Sequence, residues 1–233
     1  MRPAFLFVHG WQGDKSVWDG VIAALGPGAD CVAVDLRGSG ASPRPGPYNL
    51  EQFAADLRET VESLGIAPVV VVGHSMGATV ALRFALDSPE LTHGLVLIAP
   101  VPASGGGYSA KGEAYLRATA GDPAAARSWL ARTLRDPGAN GTLDRLCAAA
   151  ARTQREAALE SFESWAHADF AEQTRELAVP ALVIAPEHDL PQSAEERVAA
   201  LLPNARFVVL PDAAHYAIVE LPHEIADLIR QFR

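Results

Sequence analysis

The chain has 233 residues, of which 49% are hydrophobic, and it carries a formal net charge of −9 at pH 7. This length suits one globular domain with a sizeable core. The acidic balance argues against nucleic acid or an anionic membrane as the main partner. The first apolar run stops at His9, too early for a signal peptide or a transmembrane segment. We therefore expect a cytoplasmic protein of one domain.

Six short apolar runs are typical of buried strands. They are residues 4–8, 31–36, 69–72, 94–99, 181–185 and 206–210. Their apolar residues are consecutive rather than alternating, as in the strands of a parallel sheet that is covered on both faces. Helical apolar spacing fills most of the gaps between these runs. The pattern predicts an α/β fold with a doubly wound, mainly parallel sheet and helices on both faces.

Residues 103–177, called the insertion below, interrupt this alternation because they contain no strand-like run. Helical spacing recurs in them over residues 110–120, 123–135 and 142–165. We expect the insertion to form a helical cap over the sheet. In this interpretation residues 1–102 and 178–233 form the core of the protein.

The segment Gly73-His74-Ser75-Met76-Gly77 has the form G-x-S-x-G and lies between the third strand-like run and a helical pattern. In that context a serine side chain projects from a strained strand-to-helix turn. Its hydroxyl then lies near the free backbone N–H groups of a helix N-terminus, which can stabilise an oxyanion. Ser75 is therefore the candidate nucleophile, and the alternative is an ordinary turn flanked by glycines.

A serine hydroxyl needs a base before it can act as a nucleophile at neutral pH. Of the seven histidines, His215 follows the last strand-like run by a short loop, so we expect it at the same sheet edge as Ser75. Asp189 follows the fifth run and is placed to orient the imidazole. Glu187, in the same loop, is an alternative acid. The other histidines are expected to be structural or surface residues, and no pair of them predicts a metal site.

Together these motifs resemble the α/β-hydrolase superfamily, in particular its small esterase-like members with a helical cap. The resemblance extends over nearly the whole chain and rests on HGWQGDKSVW (9–18), DLRGSGAS (35–42), GHSMG (73–77), PALVIAPEHD (180–189) and AAHYAIVELP (213–222). It implies an oxyanion hole made by the backbone N–H groups of Trp11 and Met76, and it favours Asp189 over Glu187 as the acid. Neither a cofactor nor a metal is expected.

The expected function is hydrolysis of a carboxylic ester of a small molecule by a serine esterase with the triad Ser75, Asp189 and His215. The same triad can open a lactone, cleave a thioester or a carbon–carbon bond, hydrolyse an ester linked to a carrier protein, or perform perhydrolysis without a cofactor. A binding module without turnover is the alternative from a different class.

Three aromatic residues of the insertion are candidates for the substrate pocket: Trp129, Phe162 and Trp165. Phe162 and Trp165 have the spacing of neighbours on one helix face. Such residues either anchor the helices of the insertion to the sheet or line the pocket, and the sequence leaves both interpretations open.

The insertion is locally basic although the chain is acidic. Residues 127–155 contain two aspartates, Asp136 and Asp144, and six arginines, Arg127, Arg132, Arg135, Arg145, Arg152 and Arg155. The simplest interpretation is a solvated helix face. The alternative is a surface that binds an acidic carrier protein or an anionic substrate, because guanidinium groups suit carboxylates and phosphates.

Overall fold

A computed structural model describes residues 3–189 and 193–232 of the chain. Its strands form one all-parallel sheet in the order β2-β1-β3-β4-β5-β6. They are β1 (Ala4–Val8), β2 (Cys31–Val34), β3 (Val69–His74), β4 (Thr92–Ile98), β5 (Ala181–Pro186) and β6 (Ala205–Leu210). The six predicted strands and the α/β class are confirmed.

The four valines of β3 show why these strands are apolar at successive positions. Val69 and Val71 belong to one hydrophobic core, whereas Val70 and Val72 belong to a second one. Successive side chains of a strand point to opposite faces of the sheet, so the two cores lie on opposite faces. Burying each valine contributes about 1.5–3 kcal/mol. A sheet covered in this way has no solvated face that would need polar residues.

Helices cover both faces of the sheet. They are α1 (Asp19–Leu25), α2 (Leu50–Leu64), α3 (Met76–Asp87), α4 (Ala110–Thr119), α5 (Pro123–Arg132), α6 (Thr142–Ala150), α7 (Arg155–Ala166), α8 (Ser193–Leu201), α9 (Ala217–Glu220) and α10 (Pro222–Gln231). Apolar residues of α2, α3 and α8 contribute to the first core, and those of α1 and α10 to the second. Within the described ranges, no helix is long and apolar enough to cross a membrane.

Helices α4 to α7 lie between β4 and β5, in the stretch predicted as the insertion. The prediction of one helix over residues 142–165 is wrong, because α6 ends at Ala150 and α7 begins at Arg155. Between them the backbone N–H of Gln154 donates to the carbonyl of Gly38 at 2.8 Å. This contact joins residues far apart in the sequence, so the local pattern contained no sign of the break.

The strand order determines where a ligand site is expected. From β1 the chain moves to β2 on one side and afterwards to β3 on the other side. The loops that follow β1 and β3 therefore diverge, and in open α/β sheets ligands bind in the crevice at the carboxyl ends of such strands. Ser75 directly follows β3 at this point.

Candidate active site

Ser75 occupies a strained turn between β3 and α3. Its backbone angles, φ 55° and ψ −122°, lie outside the regions that residues with a Cβ normally adopt. The turn requires glycine on both sides, because a Cβ on Gly73 would lie 2.4 Å from the carbonyl oxygen of Gly77, and a Cβ on Gly77 would lie 2.4 Å from that of Val8. The G-x-S-x-G sequence therefore forms this sharp turn by allowing three backbone segments to approach closely.

His215 connects the other two residues of the predicted triad. Its Nε2 atom lies 3.0 Å from Ser75 Oγ, and its Nδ1 atom lies 2.7 Å from Asp189 Oδ2. A neutral imidazole satisfies both contacts when Nδ1–H donates to the carboxylate and Nε2 accepts from the hydroxyl. Asp189 follows β5 and His215 follows β6, so three strand ends bring the three side chains together.

The surroundings of His215 determine its protonation. Burial of the imidazole lowers its pKa, but the charge of Asp189 and the hydrogen bond to that carboxylate raise it, and so does the charge of Glu195. The net result is a pKa above the ordinary value for histidine. The carboxylates thus make the ring a stronger base than a free imidazole, which suits the acceptance of a serine proton.

Glu195, near the start of α8, is a carboxyl group close to the triad that the sequence analysis missed. Its side chain is buried, and in the described part of the chain its Oε2 atom has no hydrogen-bond partner. Burial raises the pKa of Glu195 to about 7, and the charge of Asp189 contributes in the same direction. An acidic residue in the first turn of a helix is ordinary, so no sequence pattern distinguishes this position.

Replacing Glu195 with glutamine should stabilise the fold more at high pH than at low pH. A carboxyl group whose pKa is raised by folding stabilises the folded state below about pH 4.3, and this stabilisation is lost as the pH rises to about 7. We expect the free energy of unfolding of Glu195→Gln, relative to the wild type, to increase by about 1–3 kcal/mol between about pH 5 and pH 8. Urea titrations at both pH values measure this difference.

The matched control for that titration is Glu196→Gln. Glu196 is the next residue of α8 and its side chain is exposed, so its replacement should have a small effect at either pH. If Glu195→Gln and Glu196→Gln show the same pH dependence, burial of Glu195 is not the cause.

The loop after β1 carries the first predicted oxyanion donor, Trp11, and α3 carries the second. Gly10 lies so close to Ser75 that a Cβ on it would be 3.2 Å from the Ser75 Cβ. Met76 is the first residue of α3, so its N–H has no acceptor within that helix. His9 holds the loop, since its Nδ1 lies 2.8 Å from the Gly10 carbonyl oxygen and its Nε2 accepts the Leu36 N–H at 3.0 Å. The oxyanion role of the two N–H groups stays a prediction.

Side chains of this loop also bind the insertion at three points. Trp11 Nε1 donates to the Ala158 carbonyl at 2.8 Å, Gln12 Nε2 donates to Thr119 Oγ1 at 2.6 Å, and Arg152 Nε donates to Asp14 Oδ2 at 2.6 Å. The three partners belong to α7, to α4 and to the segment between α6 and α7. The position of the insertion and the position of the loop are therefore coupled. Each contact spans more than a hundred residues, so sequence patterns gave no sign of it.

A second histidine lies beside the triad but cannot replace His215. His74 Nε2 lies 2.8 Å from the backbone carbonyl oxygen of His215 and donates to it. Burial, together with the nearby charge of His215, lowers the pKa of His74 to about 3. The ring is therefore neutral at ordinary pH. Its hydrogen bond to the His215 carbonyl gives it a structural role in the loop that carries His215.

A cavity of about 230 Å³ opens above Ser75. Its lining residues are Trp11, Ser75, Val101, Tyr108, Leu116, Trp129, Arg132, Thr133, Trp165, His188, Asp189, His215 and Tyr216. Two of the three predicted pocket residues, Trp129 and Trp165, are among them. Phe162 is not, because its ring is fully buried behind the lining and packs against Trp11 and Trp165 at centroid distances of 5.5 and 5.1 Å. The helical spacing of Phe162 and Trp165 does not indicate which of the two rings borders the cavity.

One group of side chains in the described part of the chain has the spacing of metal ligands. Glu187, His188 and Asp212 place possible ligand atoms within 4.8 Å of one another, and all three are exposed. All three groups have protein partners: Glu187 Oε2 accepts the Asp212 N–H at 2.9 Å, His188 Nε2 lies 3.8 Å from Glu187 Oε2, and an Arg135 guanidinium nitrogen lies 3.9 Å from Asp212 Oδ1. Exposed acidic groups commonly lie together without a metal ion, so this spacing alone does not predict a metal site.

Known proteins are similar to this chain in sequence. The family model described as the alpha/beta hydrolase fold matches residues 3–222. Rv2715, an uncharacterized protein of Mycobacterium tuberculosis, is 37% identical over 97 residues, which cover 41% of this chain and 28% of that protein. The match therefore spans less than a third of that relative's length.

Solved structures are similar over almost the entire chain. A thermophilic esterase from Thermogutta terrifontis, with malate bound, has a TM-score of 0.86 and 25% identity, and the match covers 99% of this chain and 89% of that one. A bromoperoxidase from Bacillus anthracis has a TM-score of 0.93 and 18% identity, and the match covers 100% of this chain and 92% of that one. At 18% identity, the similarity to the bromoperoxidase shows the fold alone.

Proposed function

Since the chain belongs to the α/β hydrolase family, we propose that it is a serine hydrolase that cleaves carboxylic esters through an acyl-enzyme, without a cofactor. The observation that carries this proposal is the position of His215, whose two ring nitrogens lie 3.0 Å from Ser75 Oγ and 2.7 Å from Asp189 Oδ2. A nucleophile, a base and a group that orients the base are the parts that this chemistry needs.

The acylation step uses each of these groups once. Ser75 Oγ attacks the ester carbonyl carbon, and its proton passes to His215 Nε2. The carbonyl oxygen becomes an oxyanion, which the N–H groups of Trp11 and Met76 stabilise. When the tetrahedral intermediate collapses, the bond to the alcohol oxygen breaks, and His215 gives its proton to that oxygen.

Deacylation repeats these chemical steps with water as the nucleophile. His215 accepts a proton from the water while the water oxygen attacks the acyl carbon. A second oxyanion forms beside the same two N–H groups. The bond to Ser75 Oγ then breaks, His215 returns the proton to the serine, and the carboxylic acid leaves. Asp189 holds the ring in the tautomer that both steps require and stabilises the imidazolium.

In this proposal residues 1–102 and 178–233 are the catalytic core and the insertion is the cap. Trp129 and Trp165 of the cap line the cavity above Ser75 and form an apolar wall for the acyl chain. A cavity of about 230 Å³ lies below the usual range for ligand pockets of about 300–1,000 Å³. The size supports esters of short acids over lipids.

Labelling with a fluorophosphonate, followed by hydrolysis of p-nitrophenyl esters of increasing acyl length, tests this proposal. We expect a covalent adduct on Ser75 and the highest kcat/KM for acyl chains of a few carbons. Absence of both labelling and hydrolysis would contradict the proposal. Labelling without ester hydrolysis would favour a lactone, thioester or carbon–carbon bond substrate, perhydrolysis, or a ligand-binding function.

The acid side of the pH profile tests His215 as the base. Only the neutral ring accepts the serine proton, and the raised pKa of His215 extends the protonated form to higher pH. We expect kcat/KM to fall towards acid pH with an apparent pKa above about 6.5, the ordinary imidazole value. In Asp189→Asn the fall should move to lower pH, because the carboxylate charge that raises this pKa is gone. A wild-type midpoint below the ordinary value would contradict the assignment.

A further inference from the structure

The arginines of residues 127–155 do not form one free basic surface. Several of them contact side chains within the described ranges: Arg127 pairs with Asp144 at 2.7 Å, Arg135 lies 3.9 Å from Asp212, Arg145 donates to Thr142 Oγ1 at 3.2 Å, and Arg152 pairs with the buried Asp14. Arg152 thus holds the loop after β1. These contacts partly neutralise the positive charge that the sequence predicted as a binding surface for an acidic carrier protein or an anionic substrate.

Arg132 differs from these arginines because it lines the cavity above Ser75. It is the last residue of α5, and its guanidinium carbon lies 5.8 Å from the centre of the Tyr115 ring. Among residues 3–189 and 193–232, Arg132 has no ion-pair partner. A cation on the cavity wall without a carboxylate partner is available to an anion that enters the cavity.

The cavity lining contains both polar and apolar side chains. Thr133 and His188 line it together with Arg132, whereas Trp11, Trp165 and Leu116 form apolar lining. The acidic group in the lining is Asp189, and its carboxylate already binds His215 Nδ1. Among the described residues, the cavity lining therefore combines apolar surface with a positive group that no acidic side chain neutralises.

We propose that Arg132 binds a carboxylate of the substrate, so that the preferred substrates are short esters that carry a second, ionised carboxyl group, such as monoesters of dicarboxylic acids. This inference rests on the proposed function and names its substrate class. The planar guanidinium group can donate two parallel hydrogen bonds to a carboxylate. The ester of the same molecule lies at Ser75, and its methylene groups contact the apolar lining.

The test compares anionic with neutral esters. The anionic series is the monoethyl esters of succinate, glutarate and adipate, and the neutral series is ethyl esters of unbranched acids of matched length. In the wild type we expect the ratio of kcat/KM, anionic over neutral, to exceed one for at least one length and to fall with ionic strength. Arg132 is exposed to solvent, so Arg132→Gln should lower that ratio by about two- to fivefold rather than by the larger factor of a buried pair.

Two further variants separate charge from folding effects. Arg132→Lys keeps the charge but not the paired hydrogen bonds, so it should restore part of the ratio. Arg175→Gln is the matched control, because Arg175 is an exposed arginine of the insertion outside the cavity lining, and its ratio should equal that of the wild type. A ratio that is the same in Arg132→Gln and in the wild type would overturn the inference.

A binding measurement keeps this test independent of turnover. Calorimetry of Ser75→Ala with monoethyl glutarate should show binding that weakens about two- to fivefold when Arg132→Gln is added. If Ser75 is labelled and neutral esters are hydrolysed but Arg132→Gln changes neither binding nor the ratio, the inference fails and the proposed function stands. If Ser75 is not labelled and no ester is hydrolysed, the proposed function fails, and calorimetry still decides the role of Arg132.

An acidic carrier protein is the competing partner. An ester linked to such a carrier would contact the outer surface of the insertion as well as the cavity. If Arg127→Gln and Arg145→Gln lowered the rate on a carrier-linked ester as much as Arg132→Gln, and the small anionic esters showed no preference, the inference would be overturned in favour of a docking surface.

Discussion

Replacing Ser75 with alanine is expected to lower kcat for ester hydrolysis about a million-fold and to abolish labelling by a fluorophosphonate. The substitution removes the oxygen that forms the acyl bond, and it leaves His215 without a hydroxyl to activate. The cavity and the backbone N–H groups of Trp11 and Met76 remain, so a small rate above the uncatalysed reaction should persist. Stopped assays with the best p-nitrophenyl ester, together with mass spectrometry of the labelled protein, measure both effects.

Ser88→Ala is the matched control for this variant. Ser88 lies at the other end of α3, and its buried Oγ has no hydrogen-bond partner in the described part of the chain. Loss of this hydroxyl should change kcat by less than about twofold. An adduct on Ser39 or Ser42 in place of Ser75 would contradict the assignment. So would activity that a chelator abolishes and zinc restores, because the proposed chemistry involves no metal.

The elements that the sequence predicted correctly are those whose signal is local. The valines of β3 are apolar at every position because each face of the strand meets a core, and that requirement is visible in four consecutive residues. Gly73 and Gly77 are required by backbone contacts within a single turn. His215 and Asp189 were located because parallel strands end at one edge of the sheet, so a position just after a strand implies proximity to Ser75.

The features that the sequence missed depend on contacts between distant segments. Gln154 interrupts a continuous helical pattern, and its N–H binds Gly38. Arg152 stays exposed, but its charge is neutralised because it pairs with Asp14. Spacing along one helix cannot reveal either partner. Phe162 illustrates the same limit, since helical periodicity identifies the buried face but does not tell which of its rings borders a cavity.

The second large effect is expected from Asp189→Asn, which should lower kcat about 10,000-fold. An asparagine at this position can present an N–H to His215 Nδ1, which stabilises the tautomer with its proton on Nε2. That tautomer cannot accept the proton of Ser75, and the imidazolium formed during catalysis loses its carboxylate partner. KM should change much less than kcat, because Asp189 acts on the base rather than on the ester. Steady-state kinetics at a pH above the pKa of His215 separates the two parameters.

Glu187→Gln decides between the two acids that the sequence offered. Glu187 Oε2 accepts the N–H of Asp212 at 2.9 Å, whereas the contact of His215 Nδ1, at 2.7 Å, is with Asp189. A glutamine at 187 retains an oxygen that can accept the same N–H, so the loop before His215 should keep its position and kcat should fall by less than about threefold. The acid side of the pH profile should also stay in place for Glu187→Gln and move to lower pH for Asp189→Asn. The reverse ranking of the two variants would assign the catalytic acid to Glu187.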